Sequence, residues 1–177
     1  LNLMGPVNEV AQQAIEAAEP HLEWFAGATQ RNNCAAGGLA ECTYKAQEDG
    51  LLPESFAESM AVTFVAGGFD STLAGIANTV LLLAKNPEQW AKVSADPSLV
   101  GAAFEESVRM EPPFRAYYRM TTKDTELSGY KIEANKKIGI WMGAVNRDPR
   151  KFDRPDEFDV TRKAGVGMGF GTGIHNC

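Results

Sequence analysis

The pattern of apolar and polar positions predicts a chain that is helical over most of its length. Apolar residues recur at helical spacing in residues 7–28, where Pro20 is expected to break or kink the helix, and a second helix is predicted in 39–49. A much longer apolar helix is predicted in 53–85, because proline suits its first turn and an Asn-Pro pair follows its last residue. Two shorter helices are expected before the paired prolines at 112–113.

The pattern changes after Phe114. The stretches "FRAYYRM", "TELSGYKI" and "KIGIWM" are short, rich in β-branched and aromatic residues, and partly alternating, which is typical of small strands and hairpins. The tail of the chain is rich in glycine and is predicted to be a loop. The expected fold class is therefore mainly α with small β-sheets.

The composition is that of a globular protein and argues against some classes of function. The chain has 177 residues, of which 44% are hydrophobic, and a net charge of -6, so nucleic acid is a poor candidate partner. Three cysteines do not suggest a disulfide framework, and a reducing, cytoplasmic location is expected. Asp70 and Asn78 interrupt the most apolar stretch, which argues against a membrane-spanning helix.

Neither end of the chain resembles a natural terminus, since it begins at Leu1 rather than at a methionine and stops at Cys177. We interpret residues 1–177 as part of a single domain that is truncated at both ends.

The long helix contains the unusual stretch "VAGGFDST" at residues 65–72. Each glycine inside a helix costs about 1 kcal/mol relative to alanine, and a carboxylate on an apolar helix needs a partner or water. Gly67, Ser71 and Gly75 are spaced i, i+4 and i+8, so they form one stripe of small residues. Close packing against another helix and a functional demand are both open explanations for this stripe.

The glycine-rich tail does not match the common phosphate or zinc motifs. No register gives G-x-G-x-x-G, no lysine follows as in a P-loop, and two ligands without a C-x-x-C are too few for zinc. What remains is Phe170, Gly171, Gly173, His175 and Cys177, in the order F-G-x-G-x-H-x-C. This order is similar to the haem-binding signature of the cytochrome P450 family.

Three further stretches resemble the same family and occur in the family's order. "GGFDST" resembles the oxygen-binding groove of its long central helix, "EESVR" contains its E-x-x-R pair, and "NRDPRKFDRPDEFDVTR" resembles the segment that leads into the cysteine loop. The resemblance covers most of residues 35–177 and implies a partial cytochrome P450 fold of the soluble bacterial type. It also implies a haem-thiolate monooxygenase that inserts one oxygen atom from O2 into a small organic substrate.

The resemblance implies a role for each residue of the tail. Cys177 would be the thiolate ligand of the iron in haem b, where a thiolate pushes electron density towards bound oxygen. Arg119 and His175 would bind the haem propionates, and Phe170 and Gly171 would lie against the haem. A small buried cysteine and solvent-exposed polar side chains are the alternatives.

On the central helix the resemblance implies two catalytic residues, Asp70 and Ser71, which would deliver protons during oxygen activation. Gly67 would leave room for oxygen. The family usually has threonine where Ser71 stands, and serine lacks the methyl group that fixes the rotamer. We therefore expect turnover with more oxygen lost as peroxide.

The pair Glu106 and Arg109 would be buried and would anchor the cysteine loop, which is a structural role. The alternative is an exposed ion pair worth a few tenths of a kcal/mol. A third partner of the pair is left open by the sequence, because Thr172 stands where many bacterial members have histidine or asparagine.

The substrate pocket is assigned to Arg115, Tyr117 and Phe69. If residues 114–119 are extended, then Arg115, Tyr117 and Arg119 share a face. Arg115 could pair with a substrate carboxylate. The tail also resembles bacterial members that oxidise substituted benzoates, which points to an aromatic acid. A solvent-facing arginine is an equally open interpretation.

The resemblance also implies electrons from NAD(P)H, delivered through a ferredoxin-type partner. Residues 147–163 carry a net charge of +1 in this acidic chain, so they could steer an acidic ferredoxin, although a solvated loop of mixed charge is the simpler interpretation. The competing hypothesis for function is that these 177 residues are an inert fragment, unable to hold haem alone.

Overall fold

The computed structural model describes residues 8–163 and 167–177. Most of the described elements are helical, with small sheets late in the chain, which confirms the expected fold class. The helices are α1 (Glu9–Ala28), α2 (Leu39–Glu48), α3 (Phe56–Lys85), α4 (Pro87–Ala95), α5 (Val100–Met110) and α6 (Met142–Val145), with short 3-10 turns at Arg31–Asn33, Pro97–Leu99, Met168–Phe170 and Gly173–His175.

The chain divides into two compact units, Leu1–Asp70 and Ser71–Cys177, and the boundary falls inside α3. In the first unit, α1 begins after Asn8, whose side chain accepts a hydrogen bond from the Ala11 N–H at 3.0 Å. The helix continues through Pro20, so the predicted break is absent. The Tyr44 hydroxyl of α2 donates to the Thr29 carbonyl at 2.8 Å and ties α2 to the end of α1.

The second unit contains two antiparallel pairs of strands. Strand β1 (Ala116–Met120) pairs with β4 (Lys137–Trp141), and β2 (Thr125–Leu127) pairs with β3 (Tyr130–Ile132). The two residues between β2 and β3, Ser128 and Gly129, both have positive φ, as a tight two-residue hairpin turn requires. Asn135 has φ 60°, which agrees with the left-handed turn expected of it.

The core of the second unit lies between α3, α5 and the segment after α6. Its buried residues are Leu82, Ala103, Met110, Phe158 and Val160, with partly buried apolar neighbours around them. Helix α5 buries one continuous stretch from Glu106 to Met110, which places the E-x-x-R pair inside this unit.

Helix α3 is long and apolar enough to cross a membrane by length and composition alone, and 11% of its most apolar window is buried. Asp70 and Asn78 therefore do not exclude a span by themselves, contrary to the sequence argument. The central helix of a soluble protein passes the same test. The side chain of Asn78 donates to the Glu111 carbonyl at 2.9 Å, which is a partner within the protein.

Candidate active site

Helix α5 carries a buried ion pair. Glu106 is 5% exposed and Arg109 is 2% exposed. The Arg109 Nε donates to Glu106 Oε2 at 2.7 Å, and Arg109 Nη2 donates to Glu106 Oε1 at 2.9 Å. This is a bidentate, charge-assisted contact, so the pair is not the exposed ion pair that the sequence left open.

Arg109 also binds the segment that precedes the tail. Its Nη1 donates to the carbonyls of Asn146 and Pro155 at 2.8 and 2.7 Å, and its Nη2 donates to the Glu157 carbonyl at 3.3 Å. The guanidinium lies 5.3 Å from the centroid of the Phe152 ring. One buried side chain thus fixes several turns of irregular backbone, whose carbonyls would otherwise lack these donors.

The third partner of the pair is Arg162, which the sequence analysis missed. Arg162 is buried except for 8% of its side chain, and its Nε donates to Glu106 Oε1 at 2.9 Å. Its other nitrogens donate to carbonyls of the same irregular segment, those of Asp153, Arg154 and Glu157. The sequence feature that could have identified Arg162 is its place as the basic residue at the end of the family-like stretch "DVTR". Thr172, which the sequence suggested in the place of a third partner, is exposed.

Residues 167–177, here called the cysteine loop, consist of two 3-10 turns. The Cys177 N–H donates to the Phe170 carbonyl at 2.9 Å and closes the loop between the turns. Gly171 and Gly173 have φ of 75° and 74°, a conformation that other residues rarely adopt. The closed loop leaves the Cys177 thiol exposed.

The cysteine loop packs directly on α5. A Cβ added at Gly169 would clash with Val108 Cγ1 and would lie 2.8 Å from the Val108 carbonyl oxygen, so only glycine allows this approach. The ring of Phe170 lies 6.3 Å from that of Phe104, between centroids. Phe104 also contacts α3, because a Cβ added at Gly75 would lie 2.9 Å from its ring. Close helix packing therefore explains the Gly75 end of the small-residue stripe.

Strand β1 places Tyr117 and Arg119 on one face and Tyr118 on the other. Burial raises the pKa of the Tyr117 phenol, and so does its electrostatic interaction with Cys177. Arg119 is exposed, and its Nη1 donates to the Tyr118 carbonyl at 2.9 Å.

Arg115 precedes β1 rather than belonging to it. Its carbonyl accepts a hydrogen bond from the Met142 N–H at 2.9 Å, which holds the backbone, and its side chain is exposed. The described contacts leave both interpretations of Arg115 open.

The predicted residues of α3 lie on both sides of the unit boundary. Asp70 and Ser71 are half-buried, and Phe69 is 68% exposed. A Cβ added at Gly67 would meet no other described atom within 4 Å, in contrast to Gly75. The backbone of His175 belongs to the last 3-10 turn, but its side chain lies outside the described part of the structure. The expectation that His175 binds a propionate therefore also lies outside it.

Most arginines of residues 147–163 are paired locally. Arg150 donates to Asp148, and this hydrogen bond lowers the pKa of Asp148 to about 2. Arg147 lies 3.3 Å from Glu111 and from Asp156, and Arg154 lies 2.8 Å from Glu157. The positive charge of this stretch is therefore largely neutralised within the protein, which favours the solvated mixed-charge interpretation over a docking surface.

These residues fit a haem. An exposed thiol on a closed, glycine-containing loop is a soft ligand that a planar group can approach. A cation, Arg119, lies on the strand face that also carries Tyr117. The cytochrome P450 family model matches residues 39–177 of the chain.

The chain belongs to the cytochrome P450 family. It is 42% identical to cytochrome P450 CYP199A2 of Rhodopseudomonas palustris, over 99% of this chain and 43% of that relative. Among solved structures, HmtT, involved in himastatin biosynthesis, is 36% identical with a TM-score of 0.78, covering 96% of this chain and 43% of HmtT. P450BioI in complex with an acyl-carrier protein carrying a fatty acid is 28% identical with a TM-score of 0.71, covering 92% of this chain and 50% of P450BioI.

The chain thus spans less than half the length of CYP199A2 and HmtT. Its structure corresponds to a partial cytochrome P450 fold, as the sequence predicted. Membership of the family implies a haem cofactor.

Proposed function

We propose that the protein containing this chain is a haem-thiolate monooxygenase that inserts one oxygen atom from O2 into a small organic substrate. The observation that carries the proposal is the cysteine loop, which closes on itself, packs on α5 and exposes Cys177. Glu106, Arg109 and Arg162 support the proposal because they hold the backbone before this loop.

Each residue has a defined task in this function. The Cys177 thiolate is the ligand of haem b, and haem bound through a thiolate supplies the activation of oxygen. Arg119 and His175 bind the propionates, and Phe170 and Gly171 lie against the ring. The backbone at Gly67 leaves room beside α3.

The decisive experiment is the spectrum of the reduced protein with carbon monoxide after haem addition. It would be recorded on this chain, on a version extended to the length of its relatives, and on the extended version with Cys177→Ser. A strongly red-shifted, thiolate-type Soret band in the extended protein that is lost in Cys177→Ser is expected. Its absence from the extended protein would overturn the proposal.

Proton delivery is assigned to the Asp70 carboxylate and the Ser71 hydroxyl, which are adjacent on α3. The carboxylate exchanges protons with water, and the hydroxyl passes them on. Because serine lacks the methyl group that restricts its rotamer, Ser71→Thr should lower the peroxide released per NAD(P)H consumed. Unchanged coupling in Ser71→Thr would contradict this role, with Thr72→Ser as the control on the neighbouring hydroxyl.

The substrate class included in the proposal is an aromatic carboxylate bound by Arg115, with Tyr117 and Phe69 in the same pocket. A guanidinium binds a carboxylate in a bidentate manner. Arg115→Leu should weaken the binding of substituted benzoates and leave the binding of neutral aromatics of the same size unchanged, as measured by spectral titration. Equally tight binding of substituted benzoates by the parent and by Arg115→Leu would exclude this substrate class.

A second candidate is that these 177 residues alone are an inert fragment. It is favoured by the exposed apolar side chains of α3, among them Phe69, Leu73, Ile76 and Val80, which are 52% to 68% exposed. A thiolate-type band in the extended protein only would establish this for the present chain, while the same band in both would exclude it.

The proposal also includes the supply of electrons and the location of the protein. Electrons would come from NAD(P)H through a ferredoxin-type donor, and the protein would be soluble and cytoplasmic. A reconstituted assay with a ferredoxin and its reductase tests the donor, and the salt dependence of the rate tests charge steering.

A further inference from the structure

We propose that Asn146 is a positioning residue that fixes the start of the cysteine loop, and with it the place of the Cys177 thiolate. This inference rests on the haem-thiolate function proposed above. It is carried by the contacts of Asn146 with α5 on one side and with the loop on the other.

The backbone of Asn146 is held by the buried ion pair. Asn146 directly follows α6 and is completely buried, with 0% of its surface exposed. Its carbonyl accepts a hydrogen bond from Arg109 Nη1 at 2.8 Å. Its position is therefore fixed from α5.

The side chain of Asn146 reaches the cysteine loop. Its Oδ1 accepts a hydrogen bond from the Met168 N–H at 2.6 Å. Met168 begins the turn that ends at Phe170, whose carbonyl accepts the Cys177 N–H at 2.9 Å. Three hydrogen bonds thus connect Arg109 to the backbone of Cys177, with Asn146 in the middle.

Gly167 limits the movement of the cysteine loop towards α5. A Cβ added at Gly167 would lie 2.9 Å from Asn146 Oδ1 and 3.0 Å from Arg109 Cγ, so the loop backbone is in close contact with both side chains. Close packing prevents the loop from moving towards α5, and the hydrogen bond to Met168 resists movement away. Packing alone would not prevent the cysteine loop from moving away from α5.

The two halves of the Asn146 amide differ. Nδ2 is buried and has no hydrogen-bond partner among the described residues. An unpaired buried donor is unfavourable, and an aliphatic side chain of similar size would avoid it. The use of asparagine here therefore points to Oδ1, the acceptor, as the half that matters.

The test uses the extended protein with haem bound, and three variants change this hydrogen bond. Asn146→Leu removes the acceptor at similar volume, and Asn146→Asp keeps an acceptor. Met168→Pro removes the donor at the first position of a helical turn, which proline tolerates. Asn78→Leu is the matched control, because Asn78 makes a comparable bond at 2.9 Å to the Glu111 carbonyl, away from the loop.

The readout is the rate at which the thiolate-type Soret band of the reduced carbon monoxide complex converts to the shorter-wavelength form. Asn146→Leu and Met168→Pro should each convert about tenfold faster than the parent, as expected when a buried bond loses one partner. Asn146→Asp should stay near the parental rate. Asn78→Leu should lower the unfolding temperature without changing the conversion rate.

The outcomes separate this inference from the proposed function. If the parent shows no thiolate-type band, the proposed function fails. If the parent shows it and Asn146→Leu and Met168→Pro both convert at the parental rate, the positioning role is overturned. Loss of haem binding in both, without rescue by Asn146→Asp, also overturns it, because that result indicates a general structural role.

Discussion

Helices α5 and α3 both carry polar residues assigned to the site, but they are held in different ways. Helix α5 has 11 residues and buries five in succession, from Glu106 to Met110. Helix α3 has 30 residues, and many of its large apolar side chains are exposed, including Phe69 and Leu73. Glu106 and Arg109 of α5 are buried and form an ion pair that Arg162 extends, whereas Asp70 and Ser71 of α3 are half-buried.

The difference between α5 and α3 shows which parts of the candidate site are defined by contacts within this chain. The contacts that hold the cysteine loop lie within residues 104–177, so the geometry of the loop follows from this part of the sequence. On α3, a Cβ added at Gly67 would meet no other described atom within 4 Å, whereas Gly75 is packed against Phe104. Packing within the described residues therefore accounts for the contacts of the cysteine loop with α5, while the role of Gly67 on α3 stays a prediction.

The largest expected effect is on the buried ion pair. Arg109→Leu leaves the Glu106 carboxylate with Arg162 and the Asp159 N–H, and deprives the carbonyls of Asn146 and Pro155 of their donor. Breaking such a buried pair should cost about 3–5 kcal/mol in the free energy of unfolding, as measured by urea denaturation. Arg150→Leu is the control: its pair with Asp148 is exposed, so stability should change little. Equal effects of the two variants would contradict the importance of burial for the ion pair of α5.

A smaller effect is expected from Arg162. Arg162→Leu removes one charged hydrogen bond to Glu106 and the donors to three partly exposed carbonyls, but it leaves the bidentate contact of Glu106 with Arg109. A loss of about 1.5–3 kcal/mol is expected, the range for hydrogen bonds to charged groups. Arg162→Lys keeps the charge but loses the planar arrangement of donors, so it should recover only part of the loss. Full recovery would show that charge alone matters at this position.

The sequence predicted the helices and strands closely, and the reasons for its failures are physical. Proline at position 20 was expected to interrupt α1, but local preference is overridden when the rest of the helix is favourable. Periodicity located the E-x-x-R pair on a helix, but not its third partner, because Arg162 is 56 residues from Glu106 along the chain. Long-range side-chain contacts of this kind leave no periodic signal.

The packing of the cysteine loop on α5 predicts an effect at Gly169. Gly169→Ala would place a Cβ 2.8 Å from the Val108 carbonyl oxygen, which is backbone and cannot rotate away. The loop must therefore shift, with a loss of about 1–3 kcal/mol as in other overpacked sites. Thermal unfolding measures the loss, and the carbon monoxide spectrum shows whether the thiolate is displaced. Val108→Ala, combined with Gly169→Ala, relieves the contact with the side chain but not with the carbonyl, so rescue should be partial.

The smallest stability effect is expected at Gly67, with the opposite sign. Gly67→Ala meets no other described atom within 4 Å, so it should stabilise α3 by about 0.5–1 kcal/mol through helix propensity. Gly68→Ala is a matched control, because it is the next residue, is equally unobstructed and should stabilise the helix by a similar amount. If Gly67 makes room for oxygen, Gly67→Ala should lower the rate of substrate oxidation while Gly68→Ala leaves it unchanged, since the two Cβ atoms point about 100° apart around the helix. Equal activity in both variants would leave helix packing as the explanation of the small-residue stripe. Packing would then define this face of α3, as it defines the buried face of α5.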